Sequence, residues 1–433
     1  MAAPTASGTA PGSSMSEILN RPRADCTTTL QAELHHLAYK MLVANLLARA
    51  FQILALVTFS ASSSAQTNDV PSVRFLAASS EETVHRWSTD RCNSKDTPDM
   101  SARAFRDTDG KIHLIASDSR NRAMIGTDFN NLTKDCRTIY STSRSGEPSR
   151  FDDEGWLESF HTEDGVNVFA LVSMDYHPYR HSAACGTSPT TRNDCWYSTI
   201  VFARSRDKGY SFVSPSRGGD RFVAGSSSRF DPKVTSPVGA FVPSNVVKMG
   251  GLYYFLLSVA SHGEQRGGEC ALRSTDLYNV KAWRAWGGSD FDVTFSDPYS
   301  VSAAAVSKPC AILNSIPFSP IRSLSRIGNM FVAVSYDPGN PAMSRGSGVV
   351  AQLSRDLLRW SPPTTIMNLP IYTPNKGPAG AIAYYYPSLI DHGSGSLNFD
   401  TVGSSAYLYL TKYRYGMGEN RDLVRFRINV NAQ

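Results

Sequence analysis

The sequence predicts an all-β fold, a five-bladed β-propeller, on three observations. A strand, a glycine-containing turn and an apolar strand recur five times along the chain. Short Asp-containing turns interleave with these units. No convincing long helix follows residue 66. Four-stranded sheets repeated around an axis are the architecture such a pattern builds. A six-bladed ring with one degenerate blade, or a β-sandwich with accidental Gly turns, are the alternatives.

The first 65 residues are predicted to be leader rather than fold. Residues 1–40 are rich in Ala, Ser, Thr and Pro. In MLVANLLARAFQILALVTFSASSSAQ, Arg49 precedes an apolar run from Ala50 to Phe59. Ser63 and Ala65 then sit like the small residues of a cleavage site. This is the pattern of a secretory signal peptide, and the run is short for a membrane span. An uncleaved anchor is the rival reading, and a start at Met41 would make the first 40 residues an upstream extension. Residues 66–433 are then a single propeller domain, secreted or periplasmic and expected to be a monomer, with no membrane contact beyond the signal peptide.

The cysteines agree with export. Of seven, six follow residue 66, and an even number in an exported chain suggests disulfides. Nearest neighbours give Cys92–Cys136, Cys185–Cys195 and Cys270–Cys310. No C-x-x-C pair is present, which argues against a Cys-ligated zinc. The formal charge is +5, from 43 basic and 38 acidic residues, with no basic run interleaved with aromatics. Nucleic-acid binding is therefore not expected.

The five strand–turn–strand units are residues 102–117, 157–173, 244–258, 321–335 and 387–413. Their D-G, G-G and G-N turns suit tight hairpins, and their strands are rich in Val, Ile, Phe and Tyr. The Asp turns are SRDKGYSF (205–212), LSRDLLRW (353–360), RSTDLYNVKAW (273–283) and IGTDFNNL (125–132). In each, Asp can accept from nearby backbone amides while an aromatic or Leu packs beneath the sheet. VRFLAASS (73–80) or LVRFRINV (423–430) is expected to close the ring.

Innermost strands of a propeller converge on its axis, so the residues at their starts line one mouth of the channel. The entry segments PDMSARAF, DDEGWLESF, VPSNVV, SPIRSL and YYYPSLI present Asp99, Arg103, Asp153, Glu154, Trp156, Glu158, Asn245, Arg322, Tyr385 and Tyr386. Paired carboxyls flanking a bond, aromatic platforms and bidentate arginines are what glycoside chemistry needs. Plainer readings stand beside these. Asp99 can cap a turn after Pro98, Asp153 and Glu154 can belong to a solvated loop, and Trp156 can be core. In DYHPYRH, His177 and His181 stand four apart near Asp175, but Pro178 interrupts the helix a metal pair would need. If Tyr385 faces the channel, strand alternation turns Tyr384 and Tyr386 away.

On these residues the chain resembles the five-bladed propeller glycosidases, the group that includes glycoside hydrolase families 43, 62, 32 and 117. The resemblance implies a base or nucleophile near Asp99 and a second acid near Asp153 or Glu154. It also implies a general-acid Glu in the third blade, and here the sequence departs: SPVGAFVPSNVV has none. Glu158, Asp175 or Glu264 would have to serve. Arg103, Arg322, Trp156, Tyr385 and Tyr386 would hold substrate. No cofactor is implied, apart from a structural calcium in the channel for which His161 is a candidate ligand. A second resemblance is to sialidases. SRDKGYSF is similar to their Asp-box, Arg103 is similarly placed to their first arginine, and YYYPSLID to their nucleophilic tyrosine. The functional expectation is a secreted glycoside hydrolase with a carbohydrate partner. A non-catalytic glycan- or protein-binding propeller and a sialidase-like exoglycosidase are the alternatives.

Overall fold

The computed structural model describes residues 73–181, 185, 195–300, 308–318, 320–340, 346–374 and 377–432. The predicted leader and signal peptide lie outside the described residues. The fold is nearly all β. The helices among the described residues are single turns such as Trp87–Asp90 and Gly218–Arg221.

Two N-terminal strands come first, β1 (Val73–Ala77) and β2 (Glu82–His85). An antiparallel array follows: β3 (Arg103–Arg106), β4 (Ile112–Ile115), β5 (Ala123–Gly126) and β6 (Leu132–Lys134). The second array is β7 (Glu154–Thr162), β8 (Val168–Tyr176), β9 (Tyr197–Ser205) and β10 (Phe222–Ala224). Strand β11 (Val238–Phe241) pairs parallel with β9 and antiparallel with β13 (Leu252–Val259). It thereby joins the second array to the third: β12 (Val247–Met249), β13, β14 (Gly268–Ser274) and β15 (Arg284–Ala285). The fourth is β16 (Ser323–Ile327), β17 (Met330–Asp337), β18 (Gly348–Ser354) and β19 (Thr364–Asn368). The last is β20 (Ile382–Ile390), β21 (Ser405–Arg414) and β22 (Asp422–Ala432). Both expected closing segments take part, because β1 pairs antiparallel with β22 and completes the last sheet from the other end of the chain. Each of the five predicted strand–turn–strand units is an antiparallel pair.

Hydrophobic clusters lie between consecutive arrays. Phe105 and Ile115 pack with Leu157 and Val172, Phe169 and Phe202 with Phe255 and Trp283, and Leu256 with Leu324 and Phe331. Val332 and Val349 pack with Leu408 and Val424. Ile390 and Tyr409 then pack with Leu114 and Phe129, so the last array returns to the first. Each sheet is apolar on both faces and depends on two neighbours, which is the arrangement of a β-propeller.

The Asp turns join the third strand of an array to its fourth. Asp207 accepts from the Ser205 hydroxyl at 2.7 Å and the Ser211 amide at 2.9 Å. Asp356 holds the Leu358 and Arg359 amides at 3.0 and 2.8 Å, Asp276 the Tyr278 amide at 2.9 Å, and Asp128 the Asn130 amide at 2.8 Å. Phe212, Trp283, Trp360 and Phe129 are buried beneath these turns. Gly209 is required twice over. Its φ is +92°, and a Cβ there would lie 2.3 Å from the Phe105 ring.

Near the axis, side chains of one array hold backbone amides of the next. Asn121 accepts from the Leu157 amide at 2.8 Å, Ser159 from Val246 at 3.1 Å, Asn245 from Leu324 at 3.2 Å and Ser323 from Leu389 at 3.2 Å. Arg103 closes the circuit, donating to the Ser388 hydroxyl at 3.3 Å and to the Arg322 carbonyl at 2.6 Å. The three nearest-neighbour disulfides form: Cys92–Cys136, Cys185–Cys195 and Cys270–Cys310. Among the described residues no helix is long and apolar enough to cross a membrane.

Ser323 and Ser159 are buried, and each serves an amide of the next array. Replacing Ser323 with Ala is expected to lower stability in urea by about 1–3 kcal/mol, the cost of a buried amide left without its acceptor. A loss below about 0.5 kcal/mol would mean that water replaces the hydroxyl and that the circuit is not a constraint.

Candidate active site

A cavity of about 660 Å³ opens where the first strands of the arrays begin. Its lining includes Asp99, Glu154, Trp156, Glu158, Asp175, Arg322 and Tyr386. Apart from Asp175, these come from four of the five entry segments that the sequence assigned to one mouth.

Strand alternation places three of them. Glu154, Trp156 and Glu158 are two apart on β7 and share a face. The ladder with β8 shifts between Leu157 and Ser159, so Glu158 occupies a bulge. A bulge re-aims a side chain without ending the sheet. Glu154 lies directly opposite Asp175 on β8, and Asp175 directly opposite Ser198 on β9. Strand β20 has its own shift between Tyr385 and Ser388, and Tyr386 takes a φ of +55°. That left-handed residue breaks the expected alternation. Tyr386 lines the cavity. Tyr384 is buried, with its hydroxyl on Glu81 at 2.7 Å. Tyr385 is set back, its hydroxyl 2.6 Å from that of Tyr336 and its ring against Tyr386 with centroids 4.7 Å apart.

The carboxyls experience different environments. Glu154 is buried, yet Arg180 and Arg144 pair with it and Ser119 donates to it at 3.0 Å. Burial alone would raise its pKa; these donors outweigh it and hold the group below the usual range. Glu158 is pushed up to about 7 by burial and by the charge of Asp99, against the pull of Arg322 and Arg103. Asp175 is also pushed up to about 7, by burial and by the charges of Glu158 and Glu154. Asp99 is raised by burial despite its ion pair with Arg421 and a hydrogen bond from the Tyr386 hydroxyl at 3.3 Å. Both partners of Asp99 use Oδ1, and 28% of the side chain is exposed to the cavity.

Most cations of the cavity are matched. Arg120 pairs with Asp118 at 2.9 Å, Lys95 with Glu419 at 3.7 Å, Arg144 and Arg180 with Glu154, and Arg421 with Asp99. Arg322 is 6% exposed and makes no ion pair within 4 Å among the described residues. Its guanidinium lies over the rings of Tyr385 and Tyr386, 5.1 and 4.9 Å from their centroids.

Other predicted residues lie elsewhere. Asp153 turns away from the cavity, pairing with His181 at 2.9 Å and accepting from the His177 amide at 3.2 Å. It lines a separate space of about 30 Å³ with Phe151, Tyr176 and Tyr299. Its neighbour Glu154 takes the cavity because adjacent strand residues face opposite ways. Glu264 lies by a third space with His262 and Lys308. Arg103 does not line the cavity; it is 2% exposed and is used in the axial circuit. His161 is on the wrong side of β7 and bonds Glu163 at 2.8 Å beside Tyr253. The residues do not fit a channel calcium. Among the described residues no group of three His, Cys, Asp or Glu could hold a metal, and a guanidinium occupies the axial region. His177 reaches the cavity edge against Trp196, their centroids 5.4 Å apart, while His181 serves Asp153.

The sequence reading missed Asp118, Arg144, Arg180, Trp196, Glu419 and Arg421. They come from inter-strand turns, where no strand period announces a direction. Arg180 alone had a signal, in the DYHPYRH segment already marked for its histidines.

Solved structures similar to this chain include glycoside hydrolases. An α-L-arabinanase of Cellvibrio cellulosa is similar over 77% of this chain and 91% of its own, at 11% identity and a TM-score of 0.42. A glycosyl hydrolase of Bacteroides ovatus covers 80% and 94%, at 13% identity and a TM-score of 0.40. A Dyadobacter fermentans protein of unknown function covers 84% and 100%, at 12% identity and a TM-score of 0.46. No family model and no curated protein matches the chain.

The raised carboxyls set the sign of a pH effect. Asp175 binds its proton more tightly in the folded chain than in the unfolded one. Its contribution is therefore intact below about pH 4 and is lost as pH rises toward about 7. Asp175→Asn removes the buried charge. It is expected to gain stability relative to the native chain on going from pH 5 to pH 8, by on the order of 2 kcal/mol. Urea midpoints at the two pH values check this, and an equal effect at both would place the ionised form in a solvated site.

Proposed function

We propose that the chain is a secreted or periplasmic glycoside hydrolase of a poly- or oligosaccharide, working in the 660 Å³ cavity at the mouth of a five-bladed propeller. The five hairpin units and the return of the last hydrophobic cluster to the first array support five blades. The three disulfides support an oxidising compartment.

One observation carries the enzymatic reading. The cavity holds carboxyls whose environments pull their proton affinities apart, which is how one site supplies an acid and a base at one pH. Glu158 is assigned as general acid. It keeps its proton up to about pH 7 and gives it to the glycosidic oxygen as the bond to C1 breaks. Asp99, which burial raises, is assigned as base or nucleophile on its position: it is partly exposed in the cavity, with Oδ1 held by Arg421 and Tyr386. Glu154, clamped by arginines, positions and polarises. Trp156, Trp196 and Tyr179 supply apolar walls on which sugar rings stack.

Two other readings have specific support. The third-blade segment SPVGAFVPSNVV lacks the Glu that the resembled glycosidases use as acid, and its Asn245 is spent on the Leu324 amide. This favours a glycan-binding propeller without catalysis. A sialidase-like mechanism would need Tyr386 as nucleophile, but burial and the Asp99 charge raise its phenol well above the ordinary value. That counts against it.

The test uses the oxidised chain from Gln66 with a panel of polysaccharides and aryl glycosides. Asp99→Asn and Glu158→Gln are each expected to lower kcat on polysaccharide by at least about 100-fold. Glu158→Gln should lose far less on aryl glycosides with good leaving groups, which need no protonation. Activity should fall as pH rises through about 7, where Glu158 loses its proton. Glycan binding with no release from any substrate would establish the binding propeller instead. Release that survives both substitutions would keep the enzyme and discard this site.

A further inference from the structure

One chemical motif of the chain lies outside the cavity and is not used by it. The pattern N-x-S/T, with x other than Pro, is the acceptor for an N-linked glycan. It occurs once in the 433 residues, as Asn131-Leu132-Thr133. Such a triplet means nothing inside a core, so its place in the fold decides. Asn131 is the last residue of the Asp turn between β5 and β6, and both Asn131 and Thr133 are exposed. Strand β6 is the outermost of the first array and pairs only with β5. Leu132 packs on the cluster that holds Phe129, and Lys134 reaches Asp96 at 2.9 Å. Thr133, between them, faces the other way. The array also fixes the end of the sheet. Asp118, Ser119 and Arg120 line the cavity from the turn between β4 and β5. The next turn, between β5 and β6, therefore lies at the opposite end. A bulky group on Asn131 projects from the outer edge, away from the cavity.

The turn tolerates such a group. Asp128 accepts from the Asn131 Nδ2 at 2.7 Å and from the Asn130 amide at 2.8 Å. A primary amide carries two N–H donors. Glycosylation replaces one hydrogen by a sugar carbon and leaves the other for Asp128. Nor does the turn dictate Asn. Three residues after the Asp, the other Asp turns carry Tyr210, Asn279 and Arg359. Arg359 serves Asp356 from that position at 2.8 Å, as Asn131 serves Asp128. Asn279 is followed by Val280 and Lys281, so only the first-array turn completes the acceptor pattern.

We propose that Asn131 is an N-glycosylation site, occupied when the chain is exported through an endoplasmic reticulum. The co-substrate is an oligosaccharide on a lipid-linked diphosphate. Asn131 Nδ2 forms a bond to C1 of the first sugar, and the bond from that carbon to the diphosphate oxygen breaks. The lipid diphosphate leaves, the amide proton is released, and nothing is oxidised or reduced. This site goes beyond the glycosidase reading and is independent of the cavity. It rests on export, which the six paired cysteines support.

The test expresses the full chain in a eukaryotic secretory host. Protein from both cells and medium is measured by intact mass and by peptide mapping, before and after treatment with a peptide-N-glycosidase. The expected result is a single glycan mass per chain, lost on treatment, with position 131 then read as aspartate. Asn131→Gln and Thr133→Ala should each lose the whole glycan mass, and Thr133→Ser should keep it. Thr133→Ala leaves the bond between Asn131 and Asp128 in place, so its loss reports the acceptor pattern and not the turn. The cell fraction keeps the readout where a variant is not released. Secreted chain with an unmodified Asn131 would overturn the site and leave export standing. Chain held in the cell without a glycan would overturn the site together with export. A glycan that survives Thr133→Ala would lie elsewhere and would overturn the assignment as well.

Discussion

The circuit of side-chain-to-amide hydrogen bonds near the axis is the constraint from which the site follows. A sheet in a ring is held to its neighbours by apolar faces, which fix spacing but not height along the axis, because hydrophobic packing is non-directional. Hydrogen bonds from Asn121, Ser159, Asn245 and Ser323 to the next array are directional and fix that height. Arg103 completes the set by reaching from the first array to the last and the fourth. Once inner strands are pinned at one level, their first residues share one rim. The cavity is the space above that rim, and it inherits whatever the sequence places at the strand starts.

Two bulges then convert a sheet rim into a site. Without the shift at Glu158, a regular ladder would continue the pairing of β7 with β8 unbroken past Leu157. The shift leaves one residue unpaired and free to aim at the axis. On β20, the positive φ of Tyr386 does similar work, and Tyr385 and Tyr386 both approach Arg322 although they are adjacent in sequence. A non-glycine residue held left-handed is tolerated where its surroundings over-determine it. Here Arg322, Asp99 and Tyr385 all engage the Tyr386 side chain.

Architecture was legible in the sequence because it rests on short-range signals. Gly turns, alternating apolar strands and the Asp turns each declare themselves within about ten residues. Strand-borne site residues were legible for the same reason: a period of two and a common starting phase put Glu154, Trp156 and Glu158 on one rim. What the sequence concealed depends on contacts between segments, some of them hundreds of residues apart. The choice of Glu154 over Asp153 turned on which neighbour faced Arg180 and which faced His181. Arg103 looked like a substrate arginine because it stood at the right phase. Only the ring shows that its donors are used between strands. Arg421 and Glu419 come from the turn between β21 and β22, where neither period nor spacing indicates a destination.

The same burial that shapes the rim also sorts its acids. A carboxyl at the floor of a recess loses water, and whether it stays charged depends on what replaces that water. Glu154 gains arginines and a hydroxyl and remains an anion. Asp175, directly opposite, is driven toward neutrality mainly by burial, to which the charges of Glu158 and Glu154 add. Burial pushes both members of this cross-strand pair the same way, and the arginines around Glu154 exempt it alone. The sequence fragments DDEGWLES and SMDYHPYR contain the pair, but their difference is made by Arg180, which β8 delivers only after passing Asp175 and turning at Pro178. A site that needs one acid and one base therefore needs no special acid. It needs ordinary carboxyls that burial raises, and an uneven distribution of cations among them.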